Sequence, residues 1–252
     1  MRTLRLVLGY DGTDFAGWQW QPGRRTVQGV LSEAFERLGD SGACSRGSGR
    51  TDGGVHAKGQ VASVRTVIEL PAKRLLMALR AHLPSDVDLH RVDDMPADFD
   101  ALRHTEKKTY RYSIVHGGAV DVFTRRFHHQ VAHELNANLM RNALEPLLGT
   151  HDFRAFETRW PNRQSSVRTI YRVELGNLGS KIWFEIEANG FLYNMVRAIA
   201  GTLIDIGRGF RPPTALGDAL TAGSRKLAGP TAPAKGLCLM SVVYPEPFKF
   251  VS

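Results

Sequence analysis

The densest concentration of chemically capable residues in the sequence is Gly47-Ser-Gly-Arg-Thr-Asp-Gly-Gly-Val-His56, where glycines flank Arg50, Thr51, Asp52 and His56. Glycines let a backbone take up strained turns and approach a ligand closely. An aspartate in such a loop sits at the surface, with its carboxylate available for covalent or electrostatic work. A polar turn between two strands is the plain alternative, and residue physics alone leaves both standing. A nucleotide-cradling loop fits less well. The stretch lacks the Lys-Ser/Thr ending of a phosphate-binding loop, and no helix-period run follows it.

Three further stretches carry suitable residue types. Tyr10 to Gln21, YDGTDFAGWQWQ, crowds Phe15, Trp18 and Trp20 among amides and two aspartates. Such a mixture suits unpaired nucleotides, although a turn whose aromatics pack on the core accounts for at least one tryptophan. Asp11, Asp14 and His56 lack the paired His or Cys spacing of a metal site, so no metal is expected. Lys107-Lys-Thr-Tyr-Arg-Tyr112 alternates basic and aromatic residues, and period two puts Lys108, Tyr110 and Tyr112 on one face. It reads either as an exposed edge strand protected by charge or as a cleft wall carrying Tyr110. In Asn189-Gly-Phe-Leu-Tyr-Asn-Met-Val-Arg197, Arg197 lies about 120° from the centre of the following helix's apolar stripe. A solvated arginine is the default there.

The elements that must position these residues follow from periodicity. Leu4, Leu6, Leu8 and Tyr10 alternate, predicting an opening strand with one buried face. Thr26 caps a helix carrying Val27, Val30, Leu31, Ala34, Phe35 and Leu38, which Gly39 ends. A helix follows Pro71, and strands are expected near 60–66, 87–92 and 109–115. The stretch from His116 to His133 has no clean period and reads as the passage between two halves. A helix over 135–147, strands near 167–175 and 182–187, and a long helix from Leu192 to Ile204 come next. Prolines make 210–236 mostly loop with one short helix, and 237–244 closes the chain as a strand. Strands and helices mix without regular alternation, which predicts an α+β fold in two halves, 1–115 and 116–252.

Length and composition bound the rest. The 252 residues bury a core without staples, and 42% apolar with 23% charged residues exclude wholesale disorder. No run of 18 apolar residues exists, so no membrane span is expected. No signal peptide is read at the N-terminus, and Cys44 and Cys238 alone exclude a disulfide framework, which together predict a cytoplasmic protein. The net charge of +8 favours polyanionic partners, nucleic acid first.

Singly these motifs are weak; together and in this order they are specific. YDGTDFAGWQ at 10–19, TVQG at 26–29, GRTDGGVHA at 49–57, KTYRY at 108–112, HDFRAFE at 151–157, GFLYNMVR at 190–197 and APAKGLCL at 232–239 span nearly the whole chain. The chain closely resembles the tRNA pseudouridine synthase A family. The resemblance implies two ferredoxin-like halves with sheets joined across a central basic cleft, working as a homodimer, with no further protein partner. It implies that uracil is detached from its ribose, rotated and rejoined through carbon, at about nucleotides 38 to 40 in the anticodon arm of tRNA. By resemblance Asp52 is the catalytic aspartate and Arg197 its cationic partner. Tyr110 matches the tyrosine that stacks on the target base, Arg50 the arginine beside the flipped nucleotide, and Leu237 an apolar residue near the base. The reaction is redox-neutral and releases nothing, so no cofactor is expected.

Two positions depart from the family pattern. Ser48 stands where alanine is commoner, and Leu102 where arginine is expected, with Arg103 next to it as the substitute. Three other functions compete. A non-catalytic RNA-binding protein or chaperone uses the same charge and aromatics. A metal-dependent phosphodiesterase would be built on Asp11, Asp14, Asp52 and His56. An aspartic protease fails on order, since Asp11-Gly-Thr and Asp52-Gly-Gly both lack Asp-Thr/Ser-Gly.

Overall fold

A computed structural model describes residues 1–118, 122–158 and 165–252. In chain order its strands and helices are β1 (Arg2–Tyr10), α1 (Val27–Arg37), β2 (Cys44–Gly47), β3 (His56–Thr66), α2 (Ala72–Arg80) and β4 (Val87–Met95). Then come β5 (Lys107–His116), β6 (His129–Val131), α3 (Ala137–Asn142), β7 (Gly149–Asp152), β8 (Val167–Leu178) and β9 (Lys181–Ala188). The chain closes with α4 (Met195–Gly207), α5 (Ala215–Ala222), β10 (Leu237–Tyr244) and β11 (Phe250–Val251). They form two compact units: Met1–Glu106 with Leu239–Ser252, and Lys107–Cys238. A single cut after residue 115 would sever β5, whose backbone is bonded along its length to β9, so the structural boundary falls before that strand.

The first unit runs β1-α1-β2-β3-α2-β4, and its antiparallel pairs place the strands in the order β4-β1-β3-β2. That is the split βαβ arrangement of a ferredoxin-like fold. Thr26 accepts from the Gly29 N–H at 3.1 Å to start α1, and Leu31 and Phe35 on its inner face are buried with Leu4, Leu6 and Leu8 of β1. The alternation in β1 predicted one buried face; both are buried. Arg5, on the second face, is 5% exposed. It holds Asp93 of β4 at 2.9 Å, donates to Phe248 O at 3.2 Å, and lies 4.0 Å over the Phe250 ring. A C-terminal stretch far away in sequence covers the face that looked solvated.

The second unit repeats the theme with β5, α3, the β8–β9 hairpin and α4, its strands ordered β5-β9-β8-β7. The passage read between His116 and His133 holds β6, which pairs parallel with β5; residues 119–121 lie outside the described residues. The helix expected over 135–147 is one short helix capped by Asn136, followed by a 3-10 turn over Glu145–Leu147 that contains Pro146. Proline lacks the N–H that would continue the first helix. The core of this unit centres on α4, where Met195, Ile199, Ala200, Leu203 and Ile206 are completely buried. Among the described residues no helix is long and apolar enough to cross a membrane.

Candidate active site

In the first unit the two most suspicious stretches of the sequence are built into one another. Gly17 and Asp52 form an isolated antiparallel bridge. Around it the Trp18 N–H donates to Thr51 O at 3.0 Å, the Gly54 N–H to Phe15 O at 3.3 Å and the Val55 N–H to Asp52 O at 3.1 Å. Gly17 has φ +105°, and a Cβ there would lie 2.6 Å from Thr51 O. Only glycine admits both that dihedral and that contact. Trp18 is 1% exposed and its indole lies over Gly47, where a Cβ would meet the ring at 2.7 Å. The buried-turn reading therefore holds for Trp18 and Phe15, and the loop they support carries Asp52.

Below this loop runs a buried network of neutral groups. Tyr10 Oη and Thr51 Oγ1 are 2.8 Å apart. Gln60, fully buried on β3, donates to Gly49 O at 3.0 Å and accepts from Ser48 Oγ at 2.7 Å. Ser48, which departs from the family pattern, thus supplies the hydroxyl that satisfies the Gln60 carbonyl. Buried amides left unpaired cost about 1–3 kcal/mol, so the whole loop from Ser48 to Thr51 is fixed. Asp52 itself is half-buried and Arg50 is exposed. His56 Nδ1 accepts from the Gly12 N–H at 3.0 Å and lies 3.2 Å from Asp11 Oδ1. Among the described residues no group of three or more His, Cys, Asp or Glu gathers to hold a metal. Arg103, beside Leu102, is exposed, with its Nε 3.9 Å from Asp100.

Tyr110, Arg197 and Leu237 all lie in the second unit. Strand β5 is not an exposed edge along the motif: Lys108, Tyr110 and Tyr112 are all buried. The Tyr110 ring meets Phe191 edge-on, centroids 5.1 Å apart. Phe191 escaped notice in the sequence, although it sits inside the GFLYNMVR stretch. Tyr112 donates to Pro233 O at 2.9 Å, and Gly236 lies against its ring. This fixes the turn leading into Leu237, which is 7% exposed at the start of β10.

Arg197 is no solvated arginine. It is half-buried, with Nε donating to Ala232 O at 2.8 Å and a terminal nitrogen donating to Asn194 Oδ1 at 2.8 Å. Asn194, at φ +61°, starts α4 three residues later than the apolar stripe suggested. Burial raises the Tyr112 phenol above its ordinary range, against the opposing positive charge of Arg197. Burial pushes the Lys108 ammonium down to about 8, and the neighbouring Arg168 charge adds to that shift.

Comparison with known proteins gives matches that run through both units. The family described as tRNA pseudouridine synthase matches residues 7–102 and 143–245. The chain is 41% identical to tRNA pseudouridine synthase A of Brevibacillus brevis, over 97% of this chain and all of that one. It is 43% identical to the protein of the same name from Halalkalibacterium halodurans, over 94% of this chain and 90% of the other. For the Chloroflexus aurantiacus protein, again so named, the identity is 44% over 97% and 90%. With the match running through both units at this level of identity, the chain belongs to the tRNA pseudouridine synthase family, enzymes that isomerise uridine to pseudouridine.

Proposed function

We propose that this enzyme acts on uridines in the anticodon stem-loop of tRNA, at about nucleotides 38 to 40, in the cytoplasm and as a homodimer. In the isomerisation the bond from ribose C1′ to uracil N1 breaks and one from C1′ to C5 forms. The C5 proton leaves to solvent and N1 regains one. The observation that carries the reading is the Asp52 loop, anchored on both sides by backbone bonds while its aspartate stays half-buried. A carboxylate held this way can attack the sugar or the ring, or stabilise positive charge on the ribose.

Arg197 is the cation that keeps Asp52 ionised when substrate excludes water, by the opposite-charge effect. Tyr110 presents its ring to the extruded base, with Phe191 supporting its orientation, and its hydroxyl serves proton transfer. Arg50 contacts the flipped nucleotide from the first unit, and Leu237 lines the base pocket. The net charge of +8 supports RNA as the partner. The test is to map pseudouridines in total tRNA from a strain lacking the protein. Loss confined to the anticodon arm supports the assignment. An unchanged map leaves a non-catalytic RNA-binding protein as the better reading.

A further inference from the structure

Trp18 and Trp20 lie two residues apart and have opposite fates. Trp18 is sealed against Gly47, whereas Trp20 is 57% exposed. Core packing does not account for Trp20, yet its backbone is closely held. Its N–H donates at 2.8 Å to Gln28 Oε1, which also accepts from Gln19 Nε2 at 2.8 Å. Gln28 is itself buried, and its amide nitrogen donates to Ser45 O at 2.7 Å. The Gln28 N–H in turn donates to Trp18 O at 3.0 Å, next to the bond from Trp18 to Thr51. A continuous set of short bonds therefore fixes the exposed tryptophan relative to the Asp52 loop.

Its neighbours give the surface a chemical character. Gln21, Pro22, Gly23, Arg24 and Arg25 are all exposed. Arg25 is committed to Asp86 at 2.7 and 2.8 Å and lies over Phe15. Arg24 projects from the same tip. An exposed indole on a firmly held backbone, beside an amide and a guanidinium, matches a nucleobase face with its phosphate. We infer that Trp20 stacks on an unpaired base of the substrate RNA flanking the nucleotide on which Asp52 acts, with Arg24 taking an adjacent phosphate. This rests on the reading of the Asp52 loop as the reacting centre.

The probe is an unmodified transcript of a tRNA with uridines in its anticodon arm, used for filter binding and for tritium release from C5-labelled uracil. Trp20→Ala is expected to raise Kd and KM by about 5- to 150-fold, the range for loss of one stacked base. Its kcat at saturation and its melting temperature stay at wild-type values. Trp20→Phe, which keeps a ring, recovers most of the affinity. Arg24→Ala reduces the salt slope of binding by about 1. A Trp20→Ala enzyme with Kd within about twofold of wild type, or one whose affinity falls only along with its melting temperature, overturns the inference. Wild-type protein that binds the transcript and releases no tritium overturns the reading of Asp52 instead, and the binding comparison still decides Trp20.

Discussion

The two units hold their functional groups by different means. In the first, Asp52 stands on backbone bonds, close glycine contacts and a neutral network of Tyr10, Ser48, Thr51 and Gln60. In the second, Lys108 is a buried cation two residues from Tyr110, whose ring meets Phe191 edge-on, and half-buried Arg197 is held by Ala232 O and Asn194 Oδ1. The first arrangement is stiff and held largely by neutral groups. The second carries charge inward, and burial there disfavours the ionised form of Lys108.

The sharpest way to break the contrast is to remove the charge from each unit. Asp52→Asn is nearly isosteric but a poor nucleophile. Turnover should fall by at least about 10³-fold, on the order of 4 kcal/mol of lost transition-state stabilisation. Affinity for tRNA should stay close to wild type, because asparagine keeps the size of the aspartate and a hydrogen-bond-accepting oxygen. Arg197→Ala should also cripple turnover but lower the melting temperature too, since Ala232 O loses its donor. Tritium release at the wild-type rate from Asp52→Asn would remove Asp52 from the mechanism.

A second prediction addresses the stiffness of the first unit. Gly17→Ala combines a left-handed dihedral with a contact to Thr51 O and should cost about 2–4 kcal/mol, with a loss of activity as the Asp52 loop shifts. Gly23 also has positive φ, at +68°, but nothing lies within 4 Å of its added Cβ. Gly23→Ala should cost only about 1 kcal/mol and leave turnover intact. Equal effects from the two substitutions, read by urea denaturation and initial rates, would mean that the bridge to Asp52 does not position it.

The smallest effect concerns Lys108. Its ammonium titrates at about 8 in the folded chain against an ordinary 10.5. Below the lower value both folded and unfolded chains carry the proton, and the burial cost is present in full. Between the two values the unfolded chain binds the extra proton, so stability rises with pH. Lys108→Met should be more stable than wild type by on the order of 2 kcal/mol near neutral pH, with the gap closing toward about pH 10. A gap that stays constant across that window in denaturant titrations would show that Lys108 is not held in an unfavourable charged state.

Much of this was legible in the sequence because it is local. The cap at Thr26, the stripe of α1 and the alternation of β1 all follow from neighbours a few residues apart. The glycine-framed aspartate was legible for the same reason, since close backbone approach leaves its mark as glycine. What escaped depends on distant partners. Nothing near Arg5 announces that Phe248 and Phe250 cover it, and nothing near Arg197 announces the carbonyl of Ala232. Gln60 was visible as one amide in an apolar strand, but its role needed Ser48 and Gly49 beside it. Apolar spacing runs on to Leu147, whereas the Asn136 cap and Pro146 leave only the short α3.

The first unit is assembled from both extremities of the described chain, residues 1–106 and 239–252. Translation delivers them in that order, with the whole second unit made in between. A nascent polypeptide therefore exposes the outer side of β1, with Arg5 uncovered, until Phe248 and Phe250 leave the ribosome. A chain released early keeps the Asp52 loop but has an unfinished sheet edge and an uncovered buried cation. Loss of that cover should open such products to proteolysis, so a truncated protein should compete little with the complete enzyme for RNA.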